Sequence, residues 1–297
     1  LGSGDYYHYG RFFWEIHFPN KLWIYQMSTV SETNLFRGRE HILFWEEGKG
    51  DLVKEPGAYL RGLNIWGEKG VLIAQTGKLQ ATIYTGECWD SNCAPIIPRD
   101  TNHLTAIWCF CSSEHFNTEV RKVDQKLNVT NATLVKVPFD VEYWQKVAEE
   151  KYPNGLPKPY SEDPTQWLFH GQPLKSDQPL QVALSRLLGY RWPAEYDSEM
   201  ELSDEARELI TEIKKFDHLS DNDGIICIPS VNKEETASNR LRDYLKEIFG
   251  EKWNNNTIQQ LLEKENARSS NLESWLRNEF FIQHCKVFHN RPFIWHI

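Results

Sequence analysis

Gly70-Val71-Leu72-Ile73-Ala74-Gln75-Thr76-Gly77-Lys78-Leu79-Gln80-Ala81-Thr82-Ile83-Tyr84-Thr85 is the stretch on which the fold turns. Residues 71–74 and 81–85 are short β-rich runs, because branched and aromatic side chains suit a pleated surface. Thr76-Gly77-Lys78 lies between them and suits a tight reversal, so the spacing predicts a hairpin. A further short apolar run, 94–98, is bounded by prolines.

Downstream the period changes. Leu104, Ile107, Trp108 and Cys111 fit a helical face almost as well as a strand. Helix is preferred because Phe116, Val120, Val123 and Leu127 continue that spacing beyond Ser112-Ser113. Residues 133–138 are expected to be extended, with Asp140 capping a helix that carries Val141, Trp144 and Ala148. The Pro/Gly-rich stretch 153–173 is the clearest boundary. Beyond it Leu180, Leu184, Leu187 and Leu188 line a helix closed by Gly189. Ser203 caps a second helix, with Leu209, Ile210 and Ile213. Residues 224–230 read as a single strand. Leu241, Tyr244, Leu245 and Ile248 form a third stripe ended by Gly250. Ser270-Asn271-Leu272-Glu273 has the pattern of a capping box and is expected to open one long helix through Trp275, Leu276, Phe281 and Phe288.

Upstream, the first ~55 residues are aromatic without clear periodicity, and Gly48 to Gly57 has loop composition. The expected class is α+β. An irregular segment at 1–56 precedes a strand-rich domain at 57–152. A Pro/Gly-rich connector at 153–178 and a mainly helical domain at 179–297 follow.

The 297 residues carry 33 Lys and Arg against 42 Asp and Glu, a net charge of −9. That balance opposes a protein-wide attraction to nucleic acid, but its distribution is uneven. Residues 57–140 hold eight basic and eight acidic side chains, while residues 141–297 hold nineteen and twenty-six. A basic face is therefore possible only in the first half. Arg61, Lys69 and Lys78 punctuate the β region, with Gln75 and Thr76 between them. Arg121, Lys122 and Lys126 cluster on the next element, and Asn131, Thr133 and Lys136 follow in a polar run. Arginine and lysine meet phosphates or guanine edges, and glutamine or asparagine can pair with adenine. The candidate contact residues are Arg61, Lys69, Gln75, Lys78, Arg121, Lys126, Asn131 and Lys136. Solvated charge is the commoner role for any one of them.

Other chemistry finds little footing. The six cysteines have no partner pairs at zinc spacing, and they read as reduced, mostly buried thiols. His284 and Cys285 are adjacent, so on a helix they point about 100° apart and do not converge with His289 on one metal. Glu47-Gly48-Lys49 with Asp51 is the nearest approach to a nuclease triad, and it sits in loop-like sequence. Phosphate-loop, dinucleotide and nucleophile-elbow signatures are absent. No run of ~20 apolar residues is present to cross a bilayer. Residues 1–10 do not resemble a secretory leader, so a cytoplasmic protein is expected.

The stretch Arg61-Gly62, Trp66-Gly67 and Gly70 to Gln75, then Leu79 and Ala81 to Glu87, resembles the target-recognition region of large adenine-specific DNA methyltransferases. These belong to bacterial restriction–modification (type IIG-like) and BREX-like phage-defence systems. The likeness continues through Ala106 to Ser113 and Asp124 to Asp140. It includes Trp167-Leu168-Phe169-His170-Gly171, Leu187 to Pro193 and Asp223 to Pro229, and is most specific at Trp275-Leu276-Arg277 and Arg291 to His296. The resemblance implies a part that reads double-stranded DNA, braced by its C-terminal helices against a methyltransferase core that uses S-adenosylmethionine. Such cores hold a flipped adenine with an Asn-Pro-Pro-Tyr/Phe loop. This sequence contains no Asn-Pro-Pro and no glycine-rich cofactor loop. Phe13-Trp14-Glu15-Ile16-His17-Phe18-Pro19 resembles the sequence just ahead of that loop, yet it leads almost directly into Asn34 to Glu40. The implied arrangement has the core in cis or trans outside these residues, no cofactor bound by this chain, and no activity of the chain alone. The alternative expectation is a protein-interaction or scaffold subunit of such a system that does not itself bind DNA.

Overall fold

A computed structural model describes residues 6–16, 21–58 and 61–296. Residues 1–5, compared above with a secretory leader, and His17, Phe18 and Pro19 lie outside the described residues. The class is α+β. The chain forms two compact units, Leu1–Phe13 with Asn20–Pro157, and Trp14–Pro19 with Lys158–Ile297.

Among the described residues the strands are β1 (Gly10–Phe12), β2 (Trp23–Met27), β3 (His41–Phe44), β4 (Gly70–Ala74), β5 (Ala81–Tyr84), β6 (Cys88–Trp89) and β7 (Cys93–Ile96), all in the first unit. The helices of that unit are α1 (Tyr6–Tyr9), α2 (Asp51–Lys54), α3 (Leu104–Cys111), α4 (Glu114–Val123), α5 (Asn131–Leu134) and α6 (Val141–Lys151). Those of the second are α7 (Pro179–Leu187), α8 (Pro193–Tyr196), α9 (Asp204–Lys214), α10 (Ala237–Phe249), α11 (Thr257–Lys264), α12 (Leu272–Asn278) and α13 (Phe280–Val287).

The predicted hairpin is β4–β5, with Val71 opposite Ile83 and Leu72 opposite Thr82. β7 pairs antiparallel on the other side of β4, making it the central strand of three. All five β4 residues are buried, which is why this strand is a continuous apolar run and does not alternate. Gly70 is required there: a Cβ would stand 2.3 Å from the Ile96 carbonyl oxygen. α3 packs on β4 and on α6. Trp108 Nε1 donates to the Tyr152 hydroxyl at 3.0 Å.

The described part of residues 1–56 is not irregular. It supplies β1, β2 and β3, which join β6 in the order β1-β3-β2-β6. β6 runs parallel to β2, with Gln26 opposite Cys88, so part of the 57–152 segment shares a sheet with the N-terminal segment. Pairings such as Trp23 with Phe44 and Tyr25 with Ile42 are non-local, and local spacing gives no sign of them. Buried Arg39 ties this segment to β5 by donating to the Ile83 carbonyl at 2.7 Å and Thr85 Oγ1 at 3.1 Å. Its desolvation lowers the guanidinium pKa to about 10.

Four further expectations are corrected. The predicted helix from Leu104 breaks into α3 and α4 because the Ser113 hydroxyl accepts the Phe116 N–H and starts a new helix. Residues 133–138 are not extended: Thr130 accepts the Thr133 N–H and caps the single turn α5, which outweighs the β-branched composition. Residues 224–230 form no strand. The Asp221 carboxylate accepts the N–H groups of Asp223, Gly224 and Ile225 and bends the chain instead. At the C-terminal end the cap is Asn271 and not Ser270, and the long helix is interrupted at Glu279 into α12 and α13. The Glu279 carboxylate turns back to accept from Arg268 and Ser269 N–H.

The second unit is built around α7, whose nine residues are all buried. Leu180, Leu184 and Leu187 pack with Leu241, Leu245, Leu262, Trp275 and Leu276. Charges are buried too. Arg186 contacts Glu195 at 2.7 Å and Asp217 at 2.6 Å, and its Nε donates to the Tyr244 hydroxyl at 3.2 Å. The Trp192 N–H holds the other Glu195 oxygen at 2.9 Å. Gly171, at φ +76°, passes so close that a Cβ would lie 2.5 Å from Glu195 Oε1 and 2.7 Å from Arg186 Nη1. Among the described residues no helix is long and apolar enough to cross a membrane.

Candidate nucleic-acid interface

The hairpin between β4 and β5 closes with Ala74 N–H donating to the Gln80 carbonyl at 2.9 Å and Leu79 N–H to the Thr76 carbonyl at 3.2 Å. Gly77 and Leu79 both take positive φ, +65° and +57°, so the tip is a compact left-handed turn that presents Lys78 to solvent.

Residues 121–136 come back against this tip. Val129 N–H donates to the Gln75 carbonyl at 2.8 Å, and Gln75 Nε2 donates to Asn131 Oδ1 at 3.0 Å. Arg121 Nη2 donates to the Gly77 carbonyl at 2.7 Å, and Arg121 Nη1 donates to the Lys126 carbonyl. The intervening loop is shaped by Asp124, which accepts the Lys126 N–H and the Thr133 hydroxyl, each at 3.0 Å. Those two bonds, the Lys126 N–H first, hold its carboxyl below the usual carboxylate range.

Five of the eight sequence candidates therefore gather at one end of the three-stranded sheet: Gln75, Lys78, Arg121, Lys126 and Asn131. Lys78, Lys126 and Asn131 are exposed, whereas Gln75 and Arg121 are half-buried. Lys136, also exposed, follows α5 on the same segment. Arg61 and Lys69 are exposed but lie elsewhere. Lys69 precedes the far end of β4, where Gly67 N–H bonds the Gly86 carbonyl. At ~3.3 Å per residue, five residues of strand put about 17 Å between that end and the hairpin tip. Lys122 pairs with Glu119 at 2.6 Å.

Two apolar residues went unmarked in the sequence reading of this face. Leu127 is 75% and Val135 83% exposed, on the segment that carries Lys126 and Lys136. Leu127 is the last residue of the predicted apolar stripe, yet α4 ends at Val123 and leaves it outside the core.

The remaining candidates of the sequence resolve into structure. His284 is buried, with Nδ1 3.0 Å from Gln181 Oε1 and Nε2 accepting the N–H groups of Phe293 and Ile294. Desolvation lowers its pKa to about 3. Among the described residues no group of three or more His, Cys, Asp or Glu side chains is placed to hold a metal ion. Cys88, Cys93, Cys109 and Cys111 are buried free thiols, and Cys227 and Cys285 are partly exposed. Compared with known proteins, the chain matches no family model and no curated protein.

Proposed function

We propose that this chain is the DNA sequence-recognition part of an adenine-N6 DNA methyltransferase of a restriction–modification or phage-defence system, acting in the cytoplasm. Methyl transfer belongs to an S-adenosylmethionine-binding core supplied in cis or trans. The observation that carries the reading is the meeting of Gln75 and Lys78 with Lys126 and Asn131, from segments some fifty residues apart, on one exposed end of a sheet. This end combines lysines suited to phosphates with amides suited to adenine edges. The sequence resemblance adds the methyltransferase context, and the lack of an Asn-Pro-Pro loop keeps catalysis elsewhere.

Duplex is favoured over single-stranded DNA. Residues 75–80 and 121–136 contain no aromatic side chain, so this face has no ring on which an unpaired base could stack. Fluorescence anisotropy with mixed-sequence duplexes at low salt tests the reading. Binding should weaken with rising salt and weaken further in Lys78→Glu and Lys126→Glu. No binding at low salt, with the methyltransferase core added back as well, would overturn it.

A second reading, a protein-docking subunit, draws on exposed Leu127 and Val135 and on the acidic surplus of residues 141–297. Capture of a purified methyltransferase core that Leu127→Ser abolishes, with no DNA affinity in either component or in the pair, would favour it.

A further inference from the structure

Charge alone would make Arg121 a phosphate contact, and the geometry gives it a different task. Its guanidinium spans two backbone carbonyls, Gly77 at the hairpin tip and Lys126 in the loop after α4. Neither carbonyl belongs to a strand ladder. The same two segments are joined twice more, by Val129 N–H to the Gln75 carbonyl and by the Gln75–Asn131 side-chain bond. These three ties fix the spacing between Lys78, which sits beside Gly77, and Lys126, whose own carbonyl is held.

We infer that Arg121 is a positioning residue, a two-carbonyl clamp that registers the hairpin tip against the 124–130 loop and so sets the distance between Lys78 and Lys126. The planar fork of arginine reaches two acceptors at once, whereas a single ammonium does not reproduce that geometry. Lysine at 121 keeps the charge and loses the clamp. This inference rests on the DNA reading only for what the ordered face is used for; the clamp itself is independent of any ligand.

Two measurements on the full chain test it, using Arg121→Lys and Arg121→Gln. By amide hydrogen exchange, Leu79 and Val129 should exchange about tenfold faster in both variants, the loss of one or two hydrogen bonds' worth of local protection. The amides of central β4 should be unchanged. By duplex binding across a salt series, both variants should lose affinity to a similar extent without a change in salt dependence. Lys78→Gln and Lys126→Gln should each flatten the log–log slope by roughly 0.9, the value for one lost phosphate contact. Wild-type exchange in Arg121→Lys would overturn the clamp. So would an Arg121→Lys variant that binds normally while Arg121→Gln loses one contact's worth of slope. If the wild-type chain binds no duplex, the DNA reading fails while the exchange measurement still decides the clamp.

Discussion

Arg121 and Arg186 show two opposite uses of one side chain. Arg186 is fully buried, surrounded by Glu195, Asp217 and the Tyr244 hydroxyl. Burial works against its charge, but those neighbours outweigh the penalty and hold its pKa above the ordinary value. Arg121 sits half-exposed at a loop crossing, where its donors meet the carbonyl oxygens of Gly77 and Lys126. Removing a partner from the first network strands a charge in a low-dielectric core, whereas loosening the second costs only local order. Arg186 is thus spent on an internal network, whereas the hairpin end of the first unit leaves Lys78 and Lys126 exposed.

The largest effect should come from breaking the buried network. Arg186→Met leaves Glu195 without its cation and should cost about 3–5 kcal/mol in urea unfolding. That cost should barely respond to added salt, because buried pairs are poorly screened. A loss below 1 kcal/mol would place this network on the same footing as the surface.

Next is a pH effect at another buried carboxyl of the second unit. Glu265 accepts the N–H groups of Leu180 and Gln181 at the start of α7, and desolvation raises its pKa to about 7. The folded state therefore holds this proton more tightly than the unfolded chain. Its stabilisation is complete below the unfolded value near 4.5 and is lost as pH rises to about 7. The swing is on the order of 3 kcal/mol. His170 and His284 act in the opposite sense, because burial lowers both to about 3. Their contribution is present above about 6.5 and fades as pH falls. Glu265→Gln should remove only the first component, gaining stability relative to wild type between pH 5 and pH 8. Parallel wild-type and variant profiles over that range would refute the assignment.

Gly171→Ala tests the network through the backbone. The positive φ and the blocked Cβ position should together cost roughly 2–3 kcal/mol. A double-mutant cycle with Arg186→Met should be strongly non-additive, since both changes disturb the same carboxylate. The smallest stability effect belongs to the hairpin end. Lys78→Glu and Lys126→Glu should stay within about 0.5 kcal/mol of wild type, although they are expected to reduce duplex binding most.

Local chemistry carried much of the secondary structure. The β4–β5 hairpin, the caps Asp140 and Ser203 and the closing residues Gly189 and Gly250 were legible because each acts over a few residues. Legibility failed where a competing side-chain bond or a distant partner intervened. Thr130 and Asp221 folded apparent strands into turns through their own oxygens. β1, β2 and β3 depend on pairings that no local window contains.

The candidate site divides in the same way. The sequence by itself determined that basic and acidic side chains balance at eight each over residues 57–140, and that no Asn-Pro-Pro occurs. Tertiary structure decided which of the eight candidates belong together. It assembled Gln75, Lys78, Arg121, Lys126 and Asn131 at the hairpin tip and left Lys69 at the other end of β4. It also engaged Arg121 with carbonyl oxygens. The physical reason is that charge and propensity belong to single residues and short runs. Proximity and hydrogen-bond occupancy arise only when segments fifty residues apart satisfy one another's backbone groups.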